Sequence, residues 1–255
     1  MTSKKTISCI IPAWNRKELL KITLNSIIKQ TISPLEILII NNGNKIIDYD
    51  YLDIKNPDKF NIKIFNLPKN AGLAQALNFG ASISTGEYLA FLEDDDLWEE
   101  NYIKKLLESL TDEYKVYATR MDQLKNGKIE SYKNAKGKVN LKNFFRFNPG
   151  INISNLCVNK KALFSISGFD PKISVGVDKC AVIDFLLKGY EIKVLDHIQK
   201  IGRLHEGYRL SQDSSKMLSS QIYFYSKYKN NMNYIQKVKL LMKILYLVIF
   251  KNKNY

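Results

Sequence analysis

The sequence predicts an α/β fold, a Rossmann-like and mostly parallel sheet flanked by helices, with a helical extension at the C-terminus. Three observations lead there. Short apolar runs alternate with stretches of helical spacing through the first ~120 residues, the signature of a three-layer α/β sheet. The first of these units reads strand, helix, strand, which implies parallel strands and a right-handed crossover. Beyond Asp213 the chain has no acidic residue, and apolar side chains fall at helical spacing among lysines.

The elements follow in order. Ile7 to Ile11 is an almost continuous apolar run closed by Pro12, so it reads as a buried strand. Asn15 is placed to cap the next helix, with Glu18 three residues later as in a capping box. Leu19, Leu20, Ile22, Leu24, Ile27 and Ile28 then form a broad helical apolar face up to about Gln30. Glu36 to Ile40 is a second buried strand, ended by the turn Asn41-Asn42-Gly43-Asn44. Residues 45–60 show little periodicity and read as a loop with irregular helix. Ile62 to Leu67 is a third strand, and Asn70-Ala71-Gly72-Leu73 opens a helix that ends at Thr85-Gly86.

Tyr88 to Leu92 is the fourth apolar run, and it ends in Glu93-Asp94-Asp95-Asp96-Leu97-Trp98. Carboxylates packed this closely repel one another, and a hard divalent cation relieves that repulsion. In open α/β sheets ligands bind just beyond the carboxyl ends of strands. One reading is therefore a metal site for a phosphate-bearing substrate. The other is a solvated acidic turn that caps a helix starting near Trp98.

A helix from about Glu99 to Leu110 and a strand around Val116 to Thr119 complete the first half. Later come a short hairpin and loop over 125–142, a helix over Asn159 to Ile166, a turn at Gly168-Phe169-Asp170-Pro171, a helix from Val177 to Lys188, and a strand from Glu191 to Leu195.

Composition sets the bounds. A chain of 255 residues can bury a full core, and one domain with an extension fits better than two domains. We expect residues 1–212 to form the main domain, in halves of about 1–120 and 121–212, with 213–255 as a basic amphipathic tail. Cys9, Cys157 and Cys180 are scattered and sit in or near apolar runs, so reduced core thiols are expected, in a reducing, cytoplasmic compartment. No apolar leader precedes the first strand, and no stretch of ~18 uncharged apolar residues offers a membrane span. The net charge of +14 concentrates in the tail, which suits an anionic surface at the inner face of a cell membrane. No recognised nucleic-acid motif accompanies it, so no specific nucleic acid is expected as a partner.

Several of these stretches, in this order, resemble inverting family 2 glycosyltransferases of the GT-A fold. Ser8 to Arg16 resembles the family's first strand and Pro-x-aromatic-Asn turn, and Glu36 to Gly43 its second strand and turn. Asn70 to Leu73, and Gly86 through Trp98, resemble its Asn-x-Gly helix and DxD block. Gly168-Phe169-Asp170, Val177-Asp178 and Gly189-Tyr190 resemble its acceptor-side helix.

The resemblance implies transfer of a sugar from a nucleotide-diphosphate donor, UDP favoured, to a glycan or lipid-linked acceptor, with inversion and with Mn²⁺ or Mg²⁺. Surface polysaccharide synthesis is the implied setting. Asp95, Asp96 and His205 are then the expected metal contacts, and Asp178 the base. Pro12, Ala13, Asn15, Asn41, Asn70, Asp94 and Arg209 are the expected donor contacts. Three positions depart from the pattern: Asn41-Asn42 for the usual Asp-Asp pair, Val177 for the usual Glu, and Cys180 for a common acid.

Blander readings stand beside these. Asp178 is also a helix-starting acid that favours the dipole, Arg209 a surface charge, and Trp98 either a sugar platform or a core residue. Asn152 and Ser154 fall on the expected acceptor side. The tail lies in a membrane interface or packs on the core. Two other functions compete: a degenerate, non-catalytic nucleotide or glycan binder, and a sugar nucleotidyltransferase. The second lacks its expected Gly-rich, basic loop after the first strand.

Overall fold

A computed structural model of the chain describes residues 5–55, 57–69, 71–125, 127–132, 134, 138–146, 148–203 and 212–250. Among the described residues nine strands form one sheet: β1 (Ile7–Ala13), β2 (Glu36–Asn41), β3 (Ile62–Asn66), β4 (Tyr88–Phe91), β5 (Asp96–Trp98), β6 (Val116–Lys125), β7 (Lys128–Ser131), β8 (Leu156–Asn159) and β9 (Ile192–Arg203). Among the same residues eight α-helices surround it: α1 (Lys17–Ile28), α2 (Leu73–Ile83), α3 (Tyr102–Ser109), α4 (Leu141–Arg146), α5 (Lys160–Ser165), α6 (Val177–Leu187), α7 (Ser214–Tyr228) and α8 (Tyr234–Phe250).

The strand order is β3-β2-β1-β4-β8-β6-β9-β5, with β7 paired to β6. The first four strands in that order are mutually parallel, as the strand-helix alternation predicts. The other side is mixed: β8 runs antiparallel to both β4 and β6, β9 is parallel to β6, and β5 is antiparallel to β9. Parallel pairing is thus continuous only through β3-β2-β1-β4, and on the mixed side it recurs only between β6 and β9.

Strands β1 and β2 are buried along their whole length, because helices cover both faces. Alternate residues of β1 therefore enter different cores. Ile10 packs with α2 and α6, whereas Cys9 and Ile11 pack with α1 and α3. Gly80 lets α2 approach closely, since a Cβ there would lie 2.6 Å from Ile10 Cγ2. All three cysteines are buried free thiols.

Several local expectations give way to tertiary contacts. Asn15 is not a cap. Arg16 holds the N-cap position of α1 without a side-chain bond to the helix's own first turn, and Asn15 sits at φ +51°. Asn tolerates that left-handed conformation, and its Oδ1 accepts from Asn44 N at 2.8 Å, tying the first turn to the second. Leu97 and Trp98 belong to β5 rather than to a helix start, because the segment finds an edge partner in β9. The following helix begins only at Tyr102. The strand at Val116 runs on to Lys125 and that at Ile192 to Arg203, each prolonged by pairing with the other across a bulge at Thr119/Arg120.

The tail is two helices. α7 joins the core, with Phe224 and Tyr228 edge-on to Phe145 at 6.3 and 5.9 Å. Tyr223 and Tyr228 turn their hydroxyls to Asp170 and Asp184 instead of outward.

Candidate active site

The parallel strands β1 and β4 end side by side, and their carboxyl ends deliver the Trp14-Asn15-Arg16 turn against the acid run. Asp94 Oδ2 accepts from Trp14 N at 2.8 Å, and Arg16 Nη1 lies 2.9 Å from Asp94 Oδ1 and 2.6 Å from Asp95 Oδ2. One guanidinium thus bridges two successive carboxylates. Thr23 of α1 puts its hydroxyl 3.0 and 2.9 Å from the carbonyl oxygens of Asp94 and Asp96. Arg203 Nε donates to Asp95 O at 2.8 Å, and its Nη2 donates to Leu19 O and Thr23 Oγ1. The backbone of the acid run is therefore fastened from α1 on one side and from β9 on the other.

The four acids have different surroundings. Asp96 is buried and paired with the buried Lys200 at 2.7 Å. Burial pushes the Asp94 carboxyl up to about 7 against the opposing pull of Arg16 and Trp14 N–H. Burial and the neighbouring Asp95 and Asp96 charges push Glu93 up to about 8. Ser154, also buried, receives the Glu93 N–H at 3.0 Å and lies 3.3 Å from Glu93 Oε2. Asp95 keeps 18% side-chain exposure, the most open of the paired carboxylates in this block.

Two cavities meet at the acid run. The first, about 450 Å³, is lined by Pro12, Trp14, Asn42, Gly72, Glu93 and Asp94, among others. The second, about 370 Å³, is lined by Asp95, Asp96, Asn152, Gly176, Asp178 and Arg203. Arg16, Leu73, Glu93 and Ser174 border both. A wider hollow of about 800 Å³ lies at the β6–β9 bulge, but of its two acids Glu191 is tied to Lys138 at 2.5 Å and Asp196 is exposed to solvent. The chemistry is placed with the clustered, desolvated carboxylates instead.

Asp178 lies in the first turn of α6, two positions after the left-handed N-cap Gly176 at φ +89°, and burial raises its pKa above the usual carboxylate range. So the acid expected as a base and the acids expected to meet a metal face one cavity. Pro12 and Asp94 face the other. Ala13, Asn15 and Asn41 border a small hollow of about 10 Å³ behind the turn. There Asn41 donates to Lys45 O and Asn66 Oδ1, both at 2.7 Å, and accepts from Gly43 N. Its neighbour Asn42 is the residue on the first cavity wall. Asn70, His205 and Arg209 lie outside the described residues. Trp98 is a core residue: it stacks on Tyr102 at 4.3 Å and donates Nε1–H to Ser154 O.

The sequence gives no role to Arg16, Lys200 or Arg203, and marks Glu93 only as one of the four acids of the run. Arg16 had a usable signal, since it directly follows the turn that faces the acid run. Lys200 and Arg203 had none, because they fall beyond the strand expected over Glu191 to Leu195, and only its prolongation to Arg203 brings them to the acid run.

The family model for glycosyl transferase family 2 matches residues 8–167, more than half of the chain. The chain belongs to that family. An uncharacterized glycosyltransferase of Haemophilus influenzae is 33% identical over 102 residues, covering 40% of this chain and 31% of its own. Glycosyltransferase GlyG of Streptococcus pneumoniae is 28% identical over 104 residues, covering 41% and 35% respectively. The matches span about a third of those relatives' length.

The fold of this family member is similar to that of S. aureus TarS 1–349, with a TM-score of 0.69, 17% identity, and coverage of 97% of this chain and 73% of that one. TarS in complex with UDP-GlcNAc superposes with a TM-score of 0.65 at 18% identity, covering 97% of this chain and 74% of TarS.

Proposed function

We propose that this family 2 glycosyltransferase moves a sugar from a nucleotide-diphosphate sugar, UDP favoured, to a hydroxyl of a glycan or lipid-linked acceptor with inversion. One observation carries the reading: Asp178 shares a cavity with Asp95, and Glu93 joins that cavity to the one walled by Pro12 and Asp94. The nucleotide occupies the first cavity and the acceptor hydroxyl enters the second. The UDP-GlcNAc complex of the TarS neighbour supports a donor of this class. We place the reaction in surface polysaccharide synthesis, at the inner face of a cell membrane. Among the described residues no helix is long and apolar enough to span one.

Asp178 takes the proton from the acceptor hydroxyl. The oxygen attacks the anomeric carbon opposite the diphosphate. The carbon–oxygen bond to the leaving group breaks, with its electron pair passing to the diphosphate. Arg16 lies where it meets the charge that develops.

Among the described residues no three His, Cys, Asp or Glu side chains converge as a metal site. Asp95 alone fits a hard cation held by one carboxylate, water and substrate phosphates. Asp96, tied to Lys200, supports it from behind. His205 is the further proposed contact. A bound Mn²⁺ or Mg²⁺ would neutralise the leaving diphosphate.

The test is a calorimetric titration of UDP, GDP, CDP and dTDP, each with and without Mn²⁺. We expect metal-dependent binding of one nucleotide, lost in Asp95→Ala. Binding of none overturns the transferase reading, and binding without turnover of any matching donor leaves a degenerate binder.

A further inference from the structure

Helix α8 presents an apolar face that is exposed among the described residues. Tyr234, Ile235, Met242, Leu245 and Tyr246 are 81, 63, 65, 57 and 55% exposed. At ~100° per residue these positions, with Leu241, Val248 and Ile249, fall on one continuous arc of the helix. Leu240 and Leu247, on the opposite side, are buried against the core. Monomeric proteins rarely expose an apolar patch of this extent. The charges border it: Lys237 falls at one margin of the arc, Lys239 and Lys243 at the other, and α8 contains no acid.

The Lys239–Lys243 margin opens on a hollow of about 440 Å³ between α8, α7 and the first turn of α6. Four lysines line it, Lys142, Lys179, Lys239 and Lys243, over a floor that includes Phe145 and Phe224. No acidic side chain is among the described residues that line it. Lys179 rests over the Phe224 ring, 4.6 Å from its centroid. Burial, and then the nearby Lys243 charge, hold its ammonium below the usual lysine range. A cationic hollow with an aromatic floor, beside an apolar helix face, complements an amphiphilic anion.

We propose that α8 lies in the plane of an acidic membrane, its apolar arc among the acyl chains, and that the four-lysine hollow receives a lipid phosphate. This deepens the proposed membrane-side transfer and rests on it. Lys179 follows Asp178 directly, so the same helical turn that brings the base to the reaction cavity borders the lipid site. The lysines reach the phosphate plane while their stems stay on apolar surface.

Co-sedimentation of the full chain with phosphatidylglycerol and phosphatidylcholine vesicles tests this, with UDP titration of every variant as the check on folding. We expect binding to the acidic vesicles only, weakening as salt rises. Lys239→Gln/Lys243→Gln should reduce it about thirtyfold, since each lysine near such a surface contributes about fivefold. Leu245→Glu should abolish it while UDP binding persists. Equal binding to both vesicles, or unchanged binding of the double variant, overturns the lysine site. No vesicle binding, with a concentration-dependent dimer that Leu245→Glu disperses, overturns the membrane assignment and gives the face to a second copy. Loss of UDP binding by the unaltered chain would sink the donor reading alone.

Discussion

Lys200 Nζ lies 2.7 Å from Asp96 Oδ2, with 2% of one side chain and 9% of the other exposed. The pair joins β5 to β9, which are themselves antiparallel neighbours. It holds the last acid of the run while leaving Asp95 facing the cavity. Removing one partner strands a buried charge, which typically costs about 3–5 kcal/mol. We therefore expect Lys200→Met to lower stability by about that much in urea unfolding. Lys200→Met with Asp96→Leu should recover most of it. A single variant as stable as the parent would show that the pair is dispensable.

Stability should fall as pH rises through the range set by Glu93. Its folded pKa of about 8 exceeds the ordinary 4.5, so between those values the native state binds more protons than the unfolded chain. The slope is therefore negative there, at most about 1.4 kcal/mol per pH unit from this group, and flat above. Asp94, raised to about 7, adds to the slope at lower pH. Thermal unfolding across pH 5 to 9 (~4 units) checks this, and Glu93→Gln should flatten the upper part. An unchanged profile would mean that Glu93 is ionised in the fold.

Asp178→Asn should cut turnover by roughly 10²–10⁴ while nucleotide affinity holds, because general-base catalysis contributes on that order. Steady-state transfer and a UDP titration separate the two effects. If the variant keeps its rate, the proton goes elsewhere and Glu93, which borders both cavities, becomes the residue to examine.

Asn78 of α2 clamps the backbone of Phe169, accepting from its N–H at 2.8 Å and donating to its carbonyl at 2.7 Å. That bracket anchors the segment that leads to Asp178. Asn78→Ala should destabilise by about 1–3 kcal/mol, since a backbone amide is left unsatisfied. Gly168→Ala should be at least as costly, because Gly168 sits at φ +76° and an added Cβ would fall 2.5 Å from Asn78 Oδ1. Urea midpoints of both variants check the pair.

The parallel half of the sheet was legible because its signals are local. Apolar runs such as Ile7–Ile11 and Glu36–Ile40, separated by one helical period each, leave little choice of element. The acid run, the Asp178 helix start and the buried thiols were visible for the same reason. Asn15 misled because a capping pattern is also local, and a contact with Asn44 outweighed it.

By itself, then, the sequence determined the α/β class, the acid-tipped strand and the basic amphipathic tail, all carried by residue type and spacing within one element. Only the tertiary structure decided which cations meet which acids. Arg203 and Asp95 are 108 positions apart, and they meet because β9 pairs with β5. It also decided that α7 belongs to the core while the α8 face stays open, since burial depends on what packs opposite a face and not on the face alone.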